Sequence, residues 1–527
     1  MKLNFSLGQE STAESILRSG YLTVGDALRN NAKYIPNKIA IEHDGGKMTF
    51  AQLNSRVNRL ANAMAAKGIK RGDRVAILSE NRLEYGELVY AAAKLGAIVP
   101  CLNWRLSTDE LEHCIKLTTP ETVLVSSLYR SLFEETRNKL EFVKMVILLD
   151  ESPETGEEIT YDSLVESGAD VEPSAEVNVE DALTIVYTSG TTGYPKGSII
   201  SHRAYFGRAW TWVRDLNLTS KDTFLGWAPM FHMASMDQMI ANHIVGAKFV
   251  PIPRYDPEKI ANYIWTERLG WLLLMPGTYE PLLDILRASN RKPVGALFVG
   301  SMADLTPPQV IAEITRLTNS PFLNTFGSTE TGLPPATNSV FPVGQIPTDF
   351  SKRINTTCDV RLVDPEDNDV PLGEPGELAM RGTSLLSGYW GNEETNSEDF
   401  RGGWFHMGDV FVMNADGRIN FVDRRKYLIK SGGENIYPAE IERILMSHEA
   451  VDEAVVVRAS DPKWGEVPKA YVAVNKKIDA EELLELCRKN LASYKKPRIF
   501  EFVPIERFPR STTGKILRHE VEKWHKP

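Results

Sequence analysis

Short apolar runs alternate with helical patterns as far as residue 299, and the alternation restricts the fold more than any other feature. Thr49 is typical of a helix N-cap, apolar residues recur at helical spacing from Phe50, and Gly68 is a typical stop. Apolar runs of strand length fall at 74–79, 97–102, 122–126, 145–149, 249–251, 271–275 and 296–299. This pattern predicts an α/β fold of mainly parallel sheets flanked by helices.

The chain is long enough for several domains, and its pattern changes twice. Its 527 residues exceed what one hydrophobic core usually organises. From about 340 to 423, strand-like runs alternate with Pro/Gly turn signals, which predicts a β-rich subdomain. We therefore expect an N-terminal domain over 1–423, a hinge at 424–427 and a small α+β C-terminal lid domain over 428–527. A tight turn within one domain is the alternative for 424–427.

Composition excludes some classes of function. The net charge of −10 and pI near 5.6 argue against a nucleic-acid partner. The sequence contains no apolar stretch of about 18 residues, the length that a helix needs to cross a bilayer. The N-terminus lacks the apolar core of a signal peptide. The four cysteines show no Cys-x-x-Cys spacing, which fits a reducing compartment. We expect a cytoplasmic protein without a membrane span, and a homodimer is left open.

A loop rich in glycines and hydroxyls follows the apolar run at 183–186, which predicts a buried strand. It reads Tyr-Thr-Ser-Gly-Thr-Thr-Gly-Tyr-Pro-Lys-Gly from Tyr187 to Gly197. Glycines let the backbone approach a ligand, and hydroxyls, N–H groups and a cation can all donate to phosphate oxygens. A plain surface loop is the alternative. The predicted phosphate contacts are Thr188, Ser189, Gly190, Thr191, Thr192, Gly193 and Lys196.

This loop resembles the phosphate-binding loop of the adenylate-forming enzymes, which include acyl-CoA synthetases, peptide-synthetase adenylation domains and beetle luciferases. Residues 324–331, Asn-Thr-Phe-Gly-Ser-Thr-Glu-Thr, resemble the second nucleotide motif of that superfamily. The resemblance implies that Phe326 stacks on adenine and that Glu330 binds Mg²⁺. Phe326 stands where tyrosine is commoner, so a hydroxyl contact is absent. The nucleotide contacts implied in this part of the chain are Gly300, Ser301, Thr325, Phe326, Gly327, Ser328, Thr329 and Glu330.

Three later motifs extend the resemblance. In the motif at 403–409, Gly-Trp-Phe-His-Met-Gly-Asp, the resemblance implies that Asp409 accepts hydrogen bonds from both ribose hydroxyls. It also implies that Arg424 reaches the ribose. In the motif at 509–515, Lys515 is implied to bridge the substrate carboxylate and the α-phosphate. The lid is implied to rotate about Lys426, so that one face serves each half-reaction. The loop implied to line the CoA pantetheine tunnel contributes Ser431, Gly432 and Gly433.

The stretch at 228–235 matches a motif that borders the acyl pocket in these enzymes. The resemblance places His232 against the substrate carboxylate, and a satisfied core histidine is the alternative. Amino-acid-activating relatives carry Asp where His232 stands, so a plain organic acid is favoured. Methionines recur every three residues from Met230 to Met239, which fits a core stripe and a pliant acyl wall equally well. The predicted acyl-pocket residues are Trp227, Phe231, Met233, Met236 and Phe298.

One segment departs from the family pattern. Where relatives often show Gly-Arg-Pro and Pro-Gly before the strand-like run at 359–363, this chain has Phe-Ser-Lys-Arg-Ile-Asn-Thr-Thr at 350–357. The acyl substrate therefore cannot be copied from any one relative. Short, medium-chain, aryl and arylpropenoate acids all stay open.

The motifs occur in family order from about residue 25 to 520, and they imply an acid–thiol ligase that uses ATP, Mg²⁺ and CoA. A small-molecule carboxylic acid would become an acyl-adenylate and then an acyl-CoA, with release of AMP and diphosphate. A stand-alone enzyme that loads a carrier protein is the main alternative, and a luciferase-like oxygenase is a more distant one. A nucleotide sensor without turnover is the non-enzymatic alternative, against which Lys515, Glu330 and Asp409 argue.

Overall fold

The computed structural model describes residues 18–150, 158–188, 194–275, 277–431, 434–510 and 516–525. In chain order its strands are β1 Ile39–His43, β2 Gly46–Thr49, β3 Val75–Leu78, β4 Val99–Cys101, β5 Thr122–Val125, β6 Met145–Leu148, β7 Glu158–Thr160, β8 Ala182–Thr188, β9 Lys196–Ser201, β10 Thr223–Gly226, β11 Lys248–Pro251, β12 Leu269–Leu272, β13 Ala296–Val299, β14 Phe322–Asn324, β15 Gly327–Ser328, β16 Gly332–Pro335, β17 Ser339–Phe341, β18 Cys358–Val363, β19 Pro375–Gly382, β20 Phe405–Met413, β21 Ile419–Arg424, β22 Ile429–Ser431, β23 Glu434–Ile436, β24 Val451–Asp461, β25 Gly465–Val474 and β26 Ile499–Phe502.

The α-helices are α1 Val24–Tyr34, α2 Phe50–Ala66, α3 Leu83–Leu95, α4 Thr108–Thr118, α5 Arg130–Arg137, α6 Tyr161–Ser167, α7 His202–Arg214, α8 Met233–Ile244, α9 Pro257–Thr266, α10 Tyr279–Ala288, α11 Pro308–Thr318, α12 Glu393–Asp399, α13 Pro438–Met446, α14 Ala480–Asn490 and α15 Arg518–Val521. In the described ranges, none of the helices has the length and apolar character that crossing a membrane requires.

Two compact units make up the chain, and the first contains residues up to 272 together with 327–334 and 382–398. One of its sheets has the order β7-β6-β5-β3-β4-β8-β9, in which every neighbouring pair is parallel except β8 and β9. A second has the order β12-β10-β11-β1-β2, parallel except for β1 and β2. All four residues of β3 are fully buried, as expected of a strand covered by helices on both faces. The predicted α/β fold is confirmed.

Local sequence signals determine where α2 begins and ends. The Thr49 side chain accepts from the Gln52 N–H, and the Gln52 side chain accepts from the Thr49 N–H in return, which forms a capping box. Gly68 has a φ of +92°, a conformation that glycine adopts with little strain. The helix predicted from Thr49 to Gly68 is confirmed, with Ala66 as its last residue.

The second unit contains 273–326, 335–381 and 399–527. Here β13 and β14 are parallel, and β14 pairs antiparallel with β17. A four-stranded sheet has the order β18-β19-β20-β21, which matches the predicted β-rich region. The C-terminal part has the sheet order β23-β22-β25-β24, with β26 parallel to β25. Its own core packs α13 and α14 on that sheet through Ile441, Leu445 and Leu483. The division of the chain at 424–427 stays a prediction.

Candidate active site

The predicted phosphate loop connects the two strands of a β-hairpin. β8 and β9 are antiparallel, and Thr188 and Lys196 are the last of their register partners. The sequence predicted the first strand but not the return strand, because Lys196, Ser198 and Ser201 interrupt the apolar pattern of β9. The other predicted contacts fall outside the described residues and stay predictions: Ser189, Gly190, Thr191, Thr192 and Gly193.

Tyr389 connects two residues that we expect at the phosphates. Its hydroxyl donates to Oε1 of Glu330 at 3.2 Å, and the Lys196 ammonium lies 5.1 Å from its ring centroid. A cation over an aromatic face is attracted by the ring quadrupole. The residue after Tyr389 donates its N–H to the Gly197 carbonyl of β9 at 2.8 Å, which ties the backbone of this segment to β9. Sequence analysis missed Tyr389, although two glycines flank the aromatic pair in Ser-Gly-Tyr-Trp-Gly at 387–391.

Glu330 is half-buried in a turn whose backbone is held on both sides. Its N–H donates to Oγ of Ser328 at 3.2 Å, and its carbonyl accepts from the Leu386 N–H at 2.8 Å. The Ser328 N–H donates to the Thr331 hydroxyl at 3.0 Å. These bonds fix the backbone from which the Glu330 side chain extends.

A buried ion pair lies behind this turn, and the sequence analysis did not identify it. Arg208 of α7 donates through Nη1 to both carboxylate oxygens of Asp237 on α8, at 2.9 and 3.0 Å. Its Nη2 donates to the Thr329 carbonyl at 2.8 Å, and its Nε donates to the Ser384 carbonyl at 3.1 Å. The two charged side chains are 2% and 5% exposed. One guanidinium therefore connects α8 with the peptide immediately before Glu330.

Helix α8 begins directly after the residue that we expect at the substrate carboxylate. His232 is the N-cap, and its Nδ1 accepts from the Ala234 N–H at 3.1 Å. That bond satisfies an N–H that has no partner within the helix. The ring is half-buried, so His232 is not an enclosed core histidine. Its contact with a substrate stays a prediction.

Aromatic rings meet edge to face around the predicted acyl pocket. Phe231 contacts Trp104 with ring centroids 5.8 Å apart, and Trp227 contacts Tyr255 at 4.9 Å. Trp104 also borders a cavity of about 240 Å³ beside Tyr129. The edge-to-face contacts fix the planes of the Phe231 and Trp227 rings.

The methionine stripe of α8 divides between core and partly exposed positions. Met236 and Met239 are fully buried, and the Met239 sulfur lies 3.0 Å from where a Cβ at Gly86 would stand. Met239 therefore packs against α3 as a core residue. Met233 is half-buried in the first unit, and Phe298 is half-buried on β13 in the second. Their roles in an acyl pocket stay predictions.

In the second unit, neighbouring strands bring together the two residues predicted to hold the ribose. Asp409 on β20 and Arg424 on β21 are register partners, and Arg424 Nε donates to Asp409 Oδ1 at 3.2 Å. Asp409 is 3% exposed, whereas the Arg424 side chain is 49% exposed. Gly408 has a φ of +72°, and its N–H donates to Glu377 Oε1 at 3.1 Å, which fixes the backbone before Asp409.

The two loops predicted to contact the base lie side by side. The Thr325 N–H donates to the Ser301 carbonyl at 3.4 Å. Gly300 has a φ of +93°, and a Cβ there would stand 2.1 Å from the Phe322 ring. Only glycine fits at this position.

Phe326 has a more enclosed position than its predicted role suggests. The residue is 6% exposed. Its ring meets the Phe411 ring edge to face, with centroids 4.7 Å apart, and its centroid lies 5.7 Å from that of Phe421. These contacts fix the plane of the ring. Stacking on adenine stays a prediction.

Charged residues surround the end of β21, directly before the predicted hinge. Arg518 donates to Asp423 at 3.1 Å and to Glu442 at 2.6 Å, and it lies 4.6 Å from the ring centroid of Tyr427. Burial raises the pKa of Glu442. The carbonyl of Lys426, the predicted pivot, accepts from Arg458 at 2.6 Å.

The predicted lid residues are only partly described. Ser431 is buried at the end of β22. Gly432, Gly433 and Lys515 fall outside the described residues, so the tunnel and the catalytic lysine stay predictions.

Two family models and several known proteins match nearly the whole chain. The family model described as "AMP-binding enzyme" matches residues 28–390, and the model of its C-terminal domain matches 440–515. The chain is 32% identical over 506 residues to a feruloyl-CoA synthase of Amycolatopsis sp, which covers 93% of this chain and 97% of the relative. It is 30% identical to the 2-succinylbenzoate–CoA ligase of Bacillus cereus (strain Q1), over 95% of this chain and 98% of the relative.

Solved structures of similar proteins carry adenylates and nucleotides. An anthranilate CoA ligase in complex with anthranoyl-AMP superimposes with a TM-score of 0.85 at 26% identity, covering 95% of this chain and 97% of that structure. The o-succinylbenzoate coenzyme A synthetase of Bacillus subtilis in complex with ATP and magnesium ion has a TM-score of 0.79 at 28% identity, with coverages of 94% and 99%.

Proposed function

The chain belongs to the AMP-binding enzyme family, and we propose that it activates a carboxylic acid with ATP and transfers the acyl group to CoA. The observation that carries the proposal is Tyr389, which contacts both Lys196 and Glu330. The Lys196 ammonium offers a positive charge for phosphate oxygens, and the Glu330 carboxylate offers a ligand for their metal ion. Contact with the same tyrosine keeps the two groups near each other.

The reaction has two steps. A carboxylate oxygen of the acid attacks the α-phosphorus of ATP, the bond to the β-phosphate oxygen breaks, and diphosphate leaves. The CoA thiolate then attacks the acyl carbon, and AMP leaves with the electrons of the acyl–oxygen bond. Both steps depend on positioning and on stabilising developing negative charge.

We assign the roles by unit. In the first unit, Thr188 and Lys196 bind phosphate oxygens, and His232 orients the substrate carboxylate. In the second unit, Asp409 accepts from the ribose hydroxyls. Lys515 neutralises charge at the α-phosphate in the first step. The remaining nucleotide contacts are those predicted from the sequence.

Glu330 suits a magnesium ion, and we propose that it binds one together with the phosphates. The residue is half-buried, and one of its hard carboxylate oxygens accepts from Tyr389. Within the described ranges, His, Cys, Asp and Glu form no cluster of three or more that could hold a metal. Phosphate oxygens and water would supply the other ligands, as is usual for Mg²⁺. The ion would neutralise phosphate charge.

We propose an aromatic acid as the substrate. Feruloyl, 2-succinylbenzoate and anthranilate relatives all have aromatic substrates by name. The edge-to-face pairs at Phe231 and Trp227 are consistent with that choice.

A diphosphate-release assay over a panel of acids tests the proposal. The panel contains ferulate, 2-succinylbenzoate, anthranilate, benzoate, hexanoate and acetate, each with ATP and Mg²⁺. We expect release to depend on the acid and to be fastest with an aromatic one. Diphosphate release that is the same with and without every acid would contradict the ligase assignment.

The thiol acceptor is tested separately. Thioester formation is measured by mass spectrometry with CoA and with a phosphopantetheinylated carrier protein. We expect CoA to be used. Transfer to the carrier alone would favour the loading enzyme, which is the alternative. A cytoplasmic location and a homodimer stay expectations.

A further inference from the structure

Lys352 is a fully buried cation in the segment that departs from the family pattern. Its side chain has 0% exposure, and it lies within the 350–357 stretch that replaces Gly-Arg-Pro. An ammonium removed from water is costly unless it is paired and hydrogen-bonded. The partners of Lys352 therefore show what this charge stabilises.

Both partners belong to loops that we expect around the base. The ammonium forms an ion pair with Asp304 and donates to Asn324 Oδ1 at 2.7 Å. Asp304 lies four residues after Gly300, and Asn324 immediately precedes Thr325. One charge thus joins the end of the first loop to the start of the second.

Asn324 extends the connection in two further directions. It is completely buried, its Nδ2 donates to the Phe350 carbonyl at 3.0 Å, and its Oδ1 accepts from the Ala303 N–H at 3.2 Å. Together with the Thr325–Ser301 backbone bond, these contacts leave the two loops little freedom to move apart.

The backbone of Lys352 reaches the strand predicted to carry a ribose contact. The Lys352 N–H donates to the Ile419 carbonyl at 2.8 Å, and the Ile419 N–H donates to the Lys352 carbonyl at 2.9 Å. Ile419 begins β21, which ends at Arg424 beside Asp409. The side chain and backbone of one residue therefore hold the base loops and β21 together.

We propose that Lys352 is a positioning residue for the nucleotide, which keeps loops 300–304 and 324–326 in the arrangement that binds ATP. The inference rests on the proposed function, because it uses the nucleotide contacts assigned there. Without the charge, only a fraction of molecules holds the binding arrangement, and the apparent affinity falls by that fraction. Affinity for ATP should change, whereas the chemistry of bound substrate should not.

Lys352→Met is the direct test, since methionine keeps most of the apolar stem and removes the charge. We expect KM for ATP and the calorimetric Kd for AMP to rise about tenfold or more. We expect kcat and KM for the acid to change by less than about threefold. The proposal is overturned if the variant is active and both its KM for ATP and its Kd for AMP equal the wild-type values.

A second variant guards against unfolding. Lys352→Met leaves Asp304 without its cation, so the double variant Lys352→Met/Asp304→Asn removes both charges and should recover most of the lost thermal stability. We expect its KM for ATP to stay raised, because the ammonium that joins Asp304 to Asn324 is still absent. A stable double variant with wild-type nucleotide affinity would overturn the proposal.

Lys94→Met is the matched control. Lys94 is another buried lysine, 3% exposed at its side chain, paired with Glu172 at 2.7 Å and with Asn58 at 2.6 Å. We expect a comparable loss of thermal stability with unchanged nucleotide affinity. If Lys94→Met raises KM for ATP equally, Lys352 has only a general structural role and the proposal fails. If the wild type releases no diphosphate with any acid, the proposed function fails, while AMP calorimetry still tests Lys352.

Discussion

Replacing Arg208 with methionine should destabilise the first unit far more than any exposed ion pair would. The guanidinium makes two bonds to the Asp237 carboxylate and one bond to each of two carbonyls. Breaking a buried pair by removing one partner costs about 3–5 kcal/mol, because a charge is left buried. Each carbonyl that loses its donor adds about 1 kcal/mol. We expect a total loss of about 5–7 kcal/mol in the free energy of unfolding.

Urea denaturation followed by intrinsic fluorescence measures this loss, and hydrogen exchange of α7 and α8 locates it. Arg71→Met is the matched control, since Arg71 also binds both oxygens of one carboxylate, that of Asp181 at 2.6 and 2.7 Å. The Arg71 side chain is 50% exposed, so its removal should cost below about 1 kcal/mol.

A double variant separates the two contributions. Arg208→Met/Asp237→Leu leaves no buried charge, so only the two carbonyl bonds are missing and the loss should shrink to about 2 kcal/mol. The reasoning is refuted if Arg208→Met costs less than about 2 kcal/mol, or no more than Arg71→Met. It is also refuted if the double variant is as unstable as the single one.

Three further predictions concern a glycine, a buried histidine and the catalytic lysine. Gly300→Ala should abolish AMP binding in calorimetry, because its Cβ would overlap the Phe322 ring. Gly68→Ala, with nearly the same φ but open space around the Cβ, should bind AMP normally. Burial lowers the pKa of His202 from 6.5 to about 4, so the fold holds the neutral ring. The free energy of unfolding should therefore be highest above pH 6.5 and fall as the pH drops towards 4. In His202→Asn, the urea midpoint should depend less on pH between 6.5 and 4. Lys515→Ala should abolish acyl-AMP formation yet retain thioester synthesis from supplied acyl-AMP, and equal loss of both steps would contradict a lid with two working faces.

Local patterns predicted most of the parallel framework. Apolar runs at 74–79 and 122–126 became β3 and β5 within a residue or so, because a strand covered on both faces needs an unbroken apolar sequence. β20 was not predicted, since Phe405–Met413 mixes Gly408 and charged Asp409 with apolar residues. This strand forms because it pairs with β19 on one side and β21 on the other. Pairing between strands distant in the sequence cannot be predicted from a local pattern.

The candidate site shows the same division. Asp409 and Arg424 could be predicted from motifs, and the structure brings them together across two strands. The partner of Asp237 could not be predicted, because Arg208 lies on another helix and also bonds to carbonyls more than 100 residues away. Tyr389 was missed for a similar reason, since its contact with Glu330 depends on tertiary packing.

Asp423 has a consequence for catalysis if the lid turns about 424–427. Its Oδ2 accepts from the Ala439 N–H at 2.7 Å, and its Oδ1 accepts from Arg518 at 3.1 Å. Ala439 and Arg518 would travel with the lid while Asp423 stays with its sheet, so a turn away from this orientation breaks both bonds and the return turn forms them again. These bonds favour the orientation in which they form. Weakening the Asp423 contacts should therefore shift the balance between acyl-AMP formation and thioester formation, because only one of the two steps uses that orientation.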